Sequence, residues 1–241
     1  MLGSGDAFAS GGRAQSGYVI EADGTQVLLE AGPSLLGSLK RHGFNPAKLD
    51  YVVISHLHGD HYGGIPFLML EYLWESPLDH IVTIAGPRGL ESRSWRLMKT
   101  MYPRSAIQRL KPRLRFKELA PGKSARLGPL KIDAIRSPHT SPDISLSLKL
   151  HLAGRSIAFS GDSGWNDDLV ELAQGADLFL CECTYYESKH LTFHLNYPLI
   201  MENRDRFKVS RMVLTHLGRE VLNHKSEIAI EMASDGLKIE L

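Results

Sequence analysis

The segment His56-Leu57-His58-Gly59-Asp60-His61 places three imidazoles and a carboxylate within six positions, directly after the apolar run Tyr51-Val52-Val53-Ile54. Imidazole nitrogen and carboxylate oxygen are donors that zinc favours, and a catalytic site keeps one coordination position for water or substrate. Alternate side chains of one loop can turn toward two neighbouring points, so this loop could begin two metal sites. Gly59 is expected to ease the turn, and Gly63-Gly64 to let backbone pass close by. Three isolated donors farther along share one setting. His139, Asp162 and His216 each lie just past an apolar strand, where loops present functional groups on a rigid scaffold. Singly each reads as a polar loop residue, whereas after the first segment they read jointly as the rest of a metal-binding set.

Short apolar segments separated by turn residues must position these donors. Strands are expected over 17–20, 26–30, 50–55, 80–85, 130–136, 144–150, 155–160, 177–181 and 211–215. The run from Ile144 to Leu150 alternates strictly, which predicts one buried and one wet face, and Ala153-Gly154 turns it into the next strand as a hairpin. Pro66 suits the first turn of a helix reaching Trp74, Asp167 to Gln174 reads as a short helix ended by Gly175, and Ser226 to Ala233 as a third. Met1-Leu2 runs straight into the turn Gly3-Ser4-Gly5-Asp6, as if a first strand were nearly absent. Strand runs mixed with helices suggest helices outside a pair of packed sheets.

The 241 residues fit one domain spanning 1–241. A net charge of +1 argues against a whole-molecule polyanion binder. Yet between Arg88 and Arg126 twelve Lys or Arg face only Glu91 and Glu118, in a stretch that reads as a helix and loops with core aromatics. That excess is either a solvated face or a surface that attracts phosphates. Cys181 and Cys183, two apart on one strand, are poorly placed for a disulfide and read as reduced buried thiols. No leader and no bilayer-spanning run is apparent, so a cytoplasmic location without membrane contact is expected.

The series HLHGDH, SPHT, FSGDSG and LTHL, in that order, closely resembles the metallo-β-lactamase superfamily. The resemblance implies an α+β fold, the αββα sandwich of two packed mixed sheets with helices on the outer faces. It implies two zinc ions, with manganese as the alternative. His56, His58 and His139 would hold one, Asp60, His61 and His216 the other, and Asp162 would bridge. A hydroxide shared by the two metals would then be the nucleophile. His58, where iron-binding members carry glutamate, argues for hydrolysis.

The stretch after Asp162 is similar to the ribonuclease Z branch, where a GADL strand precedes His-Glu-Ala-Thr and His-Ser-Thr motifs. Cys181-Glu182-Cys183-Thr184 stands at the first and His194-Leu195-Asn196 at the second. A departing alkoxide benefits from a proton donor, and by this resemblance His194, oriented by Glu182, would supply it, with Asp60 the further catalytic carboxylate. His190 is a neighbouring rival off the matched position. Glu30 replaces the usual aspartate of the early strand-end motif, and no long Gly/Pro-rich insertion of the tRNA-clamping kind is present. The expectation is therefore a phosphodiesterase acting on a small phosphodiester or an RNA end. A hydrolase of carboxylic esters, lactones or thioesters on the same fold is the alternative, and a non-enzymatic metal-binding protein a third class. The resemblance also makes a homodimer an expectation.

Overall fold

The computed structural model describes residues 1–103, 107–187 and 192–241. His190 and Arg104 lie outside the described residues. Along the chain come β1 (Tyr18–Ala22), β2 (Thr25–Leu29), α1 (Leu35–Arg41), β3 (Tyr51–Val53), α2 (Gly59–Tyr62), α3 (Ile65–Trp74), β4 (Val82–Gly86), α4 (Leu90–Met101), α5 (Ile107–Leu110), β5 (Leu114–Glu118), β6 (Lys123–Leu127) and β7 (Leu130–Ser137). The second half adds β8 (Ser145–Leu152), β9 (Arg155–Phe159), α6 (Asp167–Ala173), β10 (Leu178–Glu182), α7 (Tyr197–Asn203), β11 (Met212–Thr215), α8 (Arg219–Asn223) and β12 (Glu231–Met232).

One sheet runs β1-β2-β3-β4-β5 and the other β12-β11-β10-β9-β8-β7-β6, each mixing parallel and antiparallel pairs. The apolar strands are nearly continuous because both of their faces are covered. On β2, Val27 and Leu29 face the space between the sheets while Leu28 faces a helix-covered core with Leu39, Leu68 and Met98. On β10, Leu178 and Leu180 point between the sheets, and Phe179 and Cys181 point outward beneath Leu169 and Ile200. Three apolar layers thus hold two sheets between two sets of helices, which is the expected αββα sandwich.

Several local expectations need correction. β8 is wet on its outer face only in its second half: Leu146, Leu148 and Leu150 fill the inter-sheet core, Ser145 and Ser147 on the other face are buried, and Lys149 and His151 there are half-buried. The Ser147 hydroxyl donates to the Ser160 carbonyl at 2.6 Å, which satisfies it there. Residues 226–233 are not a helix but turns leading into β12, parallel to β11. Ile228, Ile230 and Met232 pack on the outer core, a period of two that is short enough to pass for a helical stripe. Nor are residues 114–118 and 123–127 loops: β5 and β6 are the edge strands of their sheets. Their exposed Arg115, Lys117, Lys123 and Arg126 are cations of the kind that blunt open edges against pairing with another chain. The N-terminal segment makes only isolated bridges, Gly3 with Gly17 and Gly5 with Gln15 and Leu217. The Ala153-Gly154 hairpin is present, both residues having positive φ.

Cys181 and Cys183 are unpaired and fully buried, and burial pushes both thiols up. Neither should react with Ellman's reagent in the native protein, and both should react once urea unfolds it. Native reactivity at either position would contradict the packing of the outer core. No helix among the described residues is long and apolar enough to cross a membrane.

Candidate metal centre

The strands of both sheets end at one edge of the sandwich, and the seven predicted donors converge there. His56 and His58 follow β3, His58 in extended backbone, and the single turn of α2 then lifts Asp60 and His61 toward the same point. Gly59 has no need to be glycine for room, since a Cβ there meets nothing within 4 Å. Gly64 does: a Cβ would lie 2.3 Å from the Gly32 carbonyl oxygen, so this glycine lets α3 start directly against the end of β2. His139, Asp162 and His216 follow β7, β9 and β11. One loop from the first sheet and three from the second therefore contribute.

Asp162 is the shared member of two clusters. Donor atoms of His56, His58, His139 and Asp162 all lie within 4.8 Å of one another, as do those of Asp60, His61, Asp162 and His216. Asp162 Oδ1 is 3.1 Å from His61 Nε2, and Oδ2 is 3.4, 3.7 and 3.8 Å from Nε2 of His216, His139 and His56. Asp60 Oδ2 stands 3.2 Å from His61 Nε2 and 3.3 Å from His216 Nε2. His58 turns Nδ1 inward, 3.0 Å from His139 Nε2. Buried His56 Nε2, His61 Nε2 and Asp162 Oδ1 have no hydrogen-bond partner among the described residues. Orphaned polar atoms are costly unless something satisfies them, and nitrogen and oxygen donors aimed at one point fit a divalent cation.

Outward-facing ring nitrogens fix the imidazoles. His56 Nδ1 meets Ser55 Oγ at 3.0 Å, His61 Nδ1 meets Glu30 Oε2 at 2.8 Å, His139 Nδ1 meets the Phe193 carbonyl at 2.8 Å and His216 Nδ1 meets Thr184 Oγ1 at 2.9 Å. Anchoring one nitrogen sets the tautomer and presents the other. Glu30 is fully buried, and its other oxygen accepts the Ser55 N–H at 2.7 Å. Burial pushes its carboxyl up. Burial also pulls His56 and His139 below the ordinary imidazole range, toward the neutral form that a metal ligand needs. Although burial opposes it, His216 and His61 hold Asp162 well below the carboxylate range. Burial likewise opposes ionisation of Asp60, which a hydrogen bond with His216 and the nearby ring of His61 keep low.

Beside the cluster the predicted pair is formed. His194 Nδ1 lies 3.0 and 3.2 Å from the two oxygens of Glu182, which is wholly buried and also accepts Ser163 N–H at 2.6 Å and Thr184 O–H at 2.7 Å. Against the effect of burial, Glu182 raises His194 to about 9. A pocket of about 880 Å³ opens over these groups, lined by His58, Asp60, His139, Asp162, His194 and His216 and also by Phe8, Tyr185, Phe193 and Arg219. None of the cations between Arg88 and Arg126 lines it among the described residues. Sequence reasoning registered Glu30 only as a replaced aspartate and gave Thr184 no role. A lone carboxylate closing the apolar run Val27-Leu28-Leu29 was the available signal for Glu30; Phe8 and Arg219 carried none.

A family model described as Anti-Pycsar protein Apyc1 matches residues 1–234. Protein Rv1339 of Mycobacterium tuberculosis is 34% identical over 181 residues, 73% of this chain and 63% of that protein, so the chain spans less than two thirds of this relative. The crystal structure of the metallo-β-lactamase fold protein YhfI from Bacillus subtilis, named a probable metallo-hydrolase, aligns with a TM-score of 0.79 at 22% identity, covering 99% of this chain and 97% of YhfI. Human tRNase Z, short form, aligns at 0.78 and 24% identity over 99% and 97% of the two chains. At those identities the two structures attest the fold. With the family model covering nearly the whole sequence, this chain belongs to the Anti-Pycsar protein Apyc1 family and shares the fold of the metallo-β-lactamase hydrolases.

Proposed function

We propose that the protein is a dinuclear-zinc phosphodiesterase, with His56, His58 and His139 holding one ion, Asp60, His61 and His216 the other, and Asp162 bridging. Two such ions, when bound, supply an acidified water and positive charge facing the phosphorus. The chain's own residues do the rest. The observation that carries the phosphodiester reading is the Glu182–His194 pair beside the cluster, with His194 on the pocket wall and Glu182 buried behind it. Glu182 takes up Nδ1 and so leaves Nε2 of His194 as the nitrogen available to a bound ester, where its proton passes to the departing alkoxide oxygen. An acyl hydrolase, which stabilises an oxyanion, has less use for such a donor. Arg219 is the only Lys or Arg lining the pocket among the described residues, and Asp6, Asp143 and Glu220 line it as well. The pocket volume falls in the small-ligand range and favours a small diester over a long RNA.

The metal-loaded protein should cleave bis(p-nitrophenyl) phosphate in preference to p-nitrophenyl acetate. Ester cleavage without diester cleavage would move the assignment to acyl substrates. Glu30→Gln should weaken metal retention about 10–100-fold by loosening His61, read by competition with a chromogenic chelator. Unchanged retention would remove Glu30 from the ligand-orienting set.

A further inference from the structure

The register of β10 and β11, with Glu182 opposite Thr215, brings the residues just past both strand ends together. Thr184 therefore lies beside His216. Its hydroxyl oxygen is 2.7 Å from Glu182 Oε2, 2.9 Å from His216 Nδ1 and 3.3 Å from His194 Nδ1. A threonine hydroxyl has one proton to give and lone pairs with which to accept. The proton goes to Glu182 Oε2, so toward His216 the oxygen can only accept, and Nδ1 of His216 carries the hydrogen. That leaves His216 Nε2, which faces Asp60 and Asp162 at 3.3 and 3.4 Å, as the nitrogen for an ion. Glu182 Oε1 accepts the His194 Nδ1–H at 3.0 Å. Three hydrogen bonds thus run unbroken from a proposed metal ligand through Thr184 and Glu182 to the proposed proton donor. His216 and Glu182 are both buried, where a donor left without its acceptor is costly and linked bonds reinforce one another.

We infer that Thr184 is a positioning residue that couples the two parts of the site, so that the hold on a metal ion through His216 and the placement of His194 depend on one hydroxyl. The inference rests on the metal-ligand and proton-donor assignments proposed above. Glu182→Gln probes the same link from its far end. Oε1 accepts both the Ser163 N–H and the His194 Nδ1–H, so the amide oxygen must stay there and the amide nitrogen takes the place of Oε2. The Thr184 hydroxyl then meets a donor where it had an acceptor, and its bond to His216 is disturbed from a residue outside the proposed ligand set.

The test is a double-mutant cycle on the full chain: wild type, Thr184→Val, Glu182→Gln and the double variant, with Thr184→Ser as the conservative control. Zinc retention against a chromogenic chelator is read beside kcat/KM for diesters with alkoxide and p-nitrophenolate leaving groups. Thr184→Val should weaken retention about tenfold. It should also slow the alkoxide ester more than the p-nitrophenolate ester, and Thr184→Ser should restore both properties. The double variant should retain zinc at least about twofold better than the product of the two single losses implies. Wild-type retention in Thr184→Val, additive losses in the cycle, or a serine variant as impaired as the valine one would overturn the coupling and leave the phosphodiesterase standing. Thr184→Ala replaces valine in the cycle if the valine variant does not fold. A wild type that retains no zinc would instead overturn the metal-ligand assignment, and the coupling with it.

Discussion

His194→Ala should slow cleavage of a diester with an alkoxide leaving group by about 10²–10⁴-fold, and should slow a p-nitrophenolate leaving group far less. The difference follows from what a proton donor does. An alkoxide departs as a strong base and needs the proton in the transition state, whereas p-nitrophenolate is stable as the anion. Glu182 fixes His194 through two contacts of 3.0 and 3.2 Å, inside a hydrogen-bond set that also engages Ser163 and Thr184. Glu182→Gln should reproduce the same leaving-group dependence at smaller amplitude, because the amide keeps the ring in place without favouring its charged form. The measurement is kcat/KM for wild type and variants on a series of diesters of graded leaving-group pKa. Equal losses along the series would show that His194 only shapes the pocket.

Asp162→Asn should abolish diester cleavage above background and leave the purified protein with less than its full metal content by mass spectrometry. Asp162 is the one donor common to both clusters. It is 2% exposed and ringed by His56, His61, His139 and His216. An amide of the same size retains the packing but withdraws the negative charge that draws cations into this site, and it offers one weaker oxygen in place of two. Circular dichroism should show the fold intact. Full metal content in the variant would remove Asp162 from the bridging position.

The inner strands and all seven donors are legible because each signal is local. Runs such as Val52-Val53-Ile54 are apolar on both faces, and the donors sit directly past their ends. The two edge strands were not legible, since their Arg and Lys read as loop charge until the sheet order places them at open edges. Glu30 was legible as a residue but not as a partner of His61, because that contact needs β2 and β3 to lie side by side, 31 positions apart in sequence. The helix expected over 226–233 failed for the opposite reason: a strand of two residues has too little length to display its period.

The donor loops divide cleanly, with His56 to His61 issuing from the first sheet and His139, Asp162 and His216 from the second. An ion bound by both sets would be a cross-tie between the two halves of the sandwich, so metal uptake and cooperative folding are one linked equilibrium. Each tenfold rise in free metal above the dissociation constant would add about 1.4 kcal/mol to the resistance of the sheets to separation. The same division means that a chain cut at the 119–122 connection would carry half of the site on each fragment, and metal would favour their reassembly.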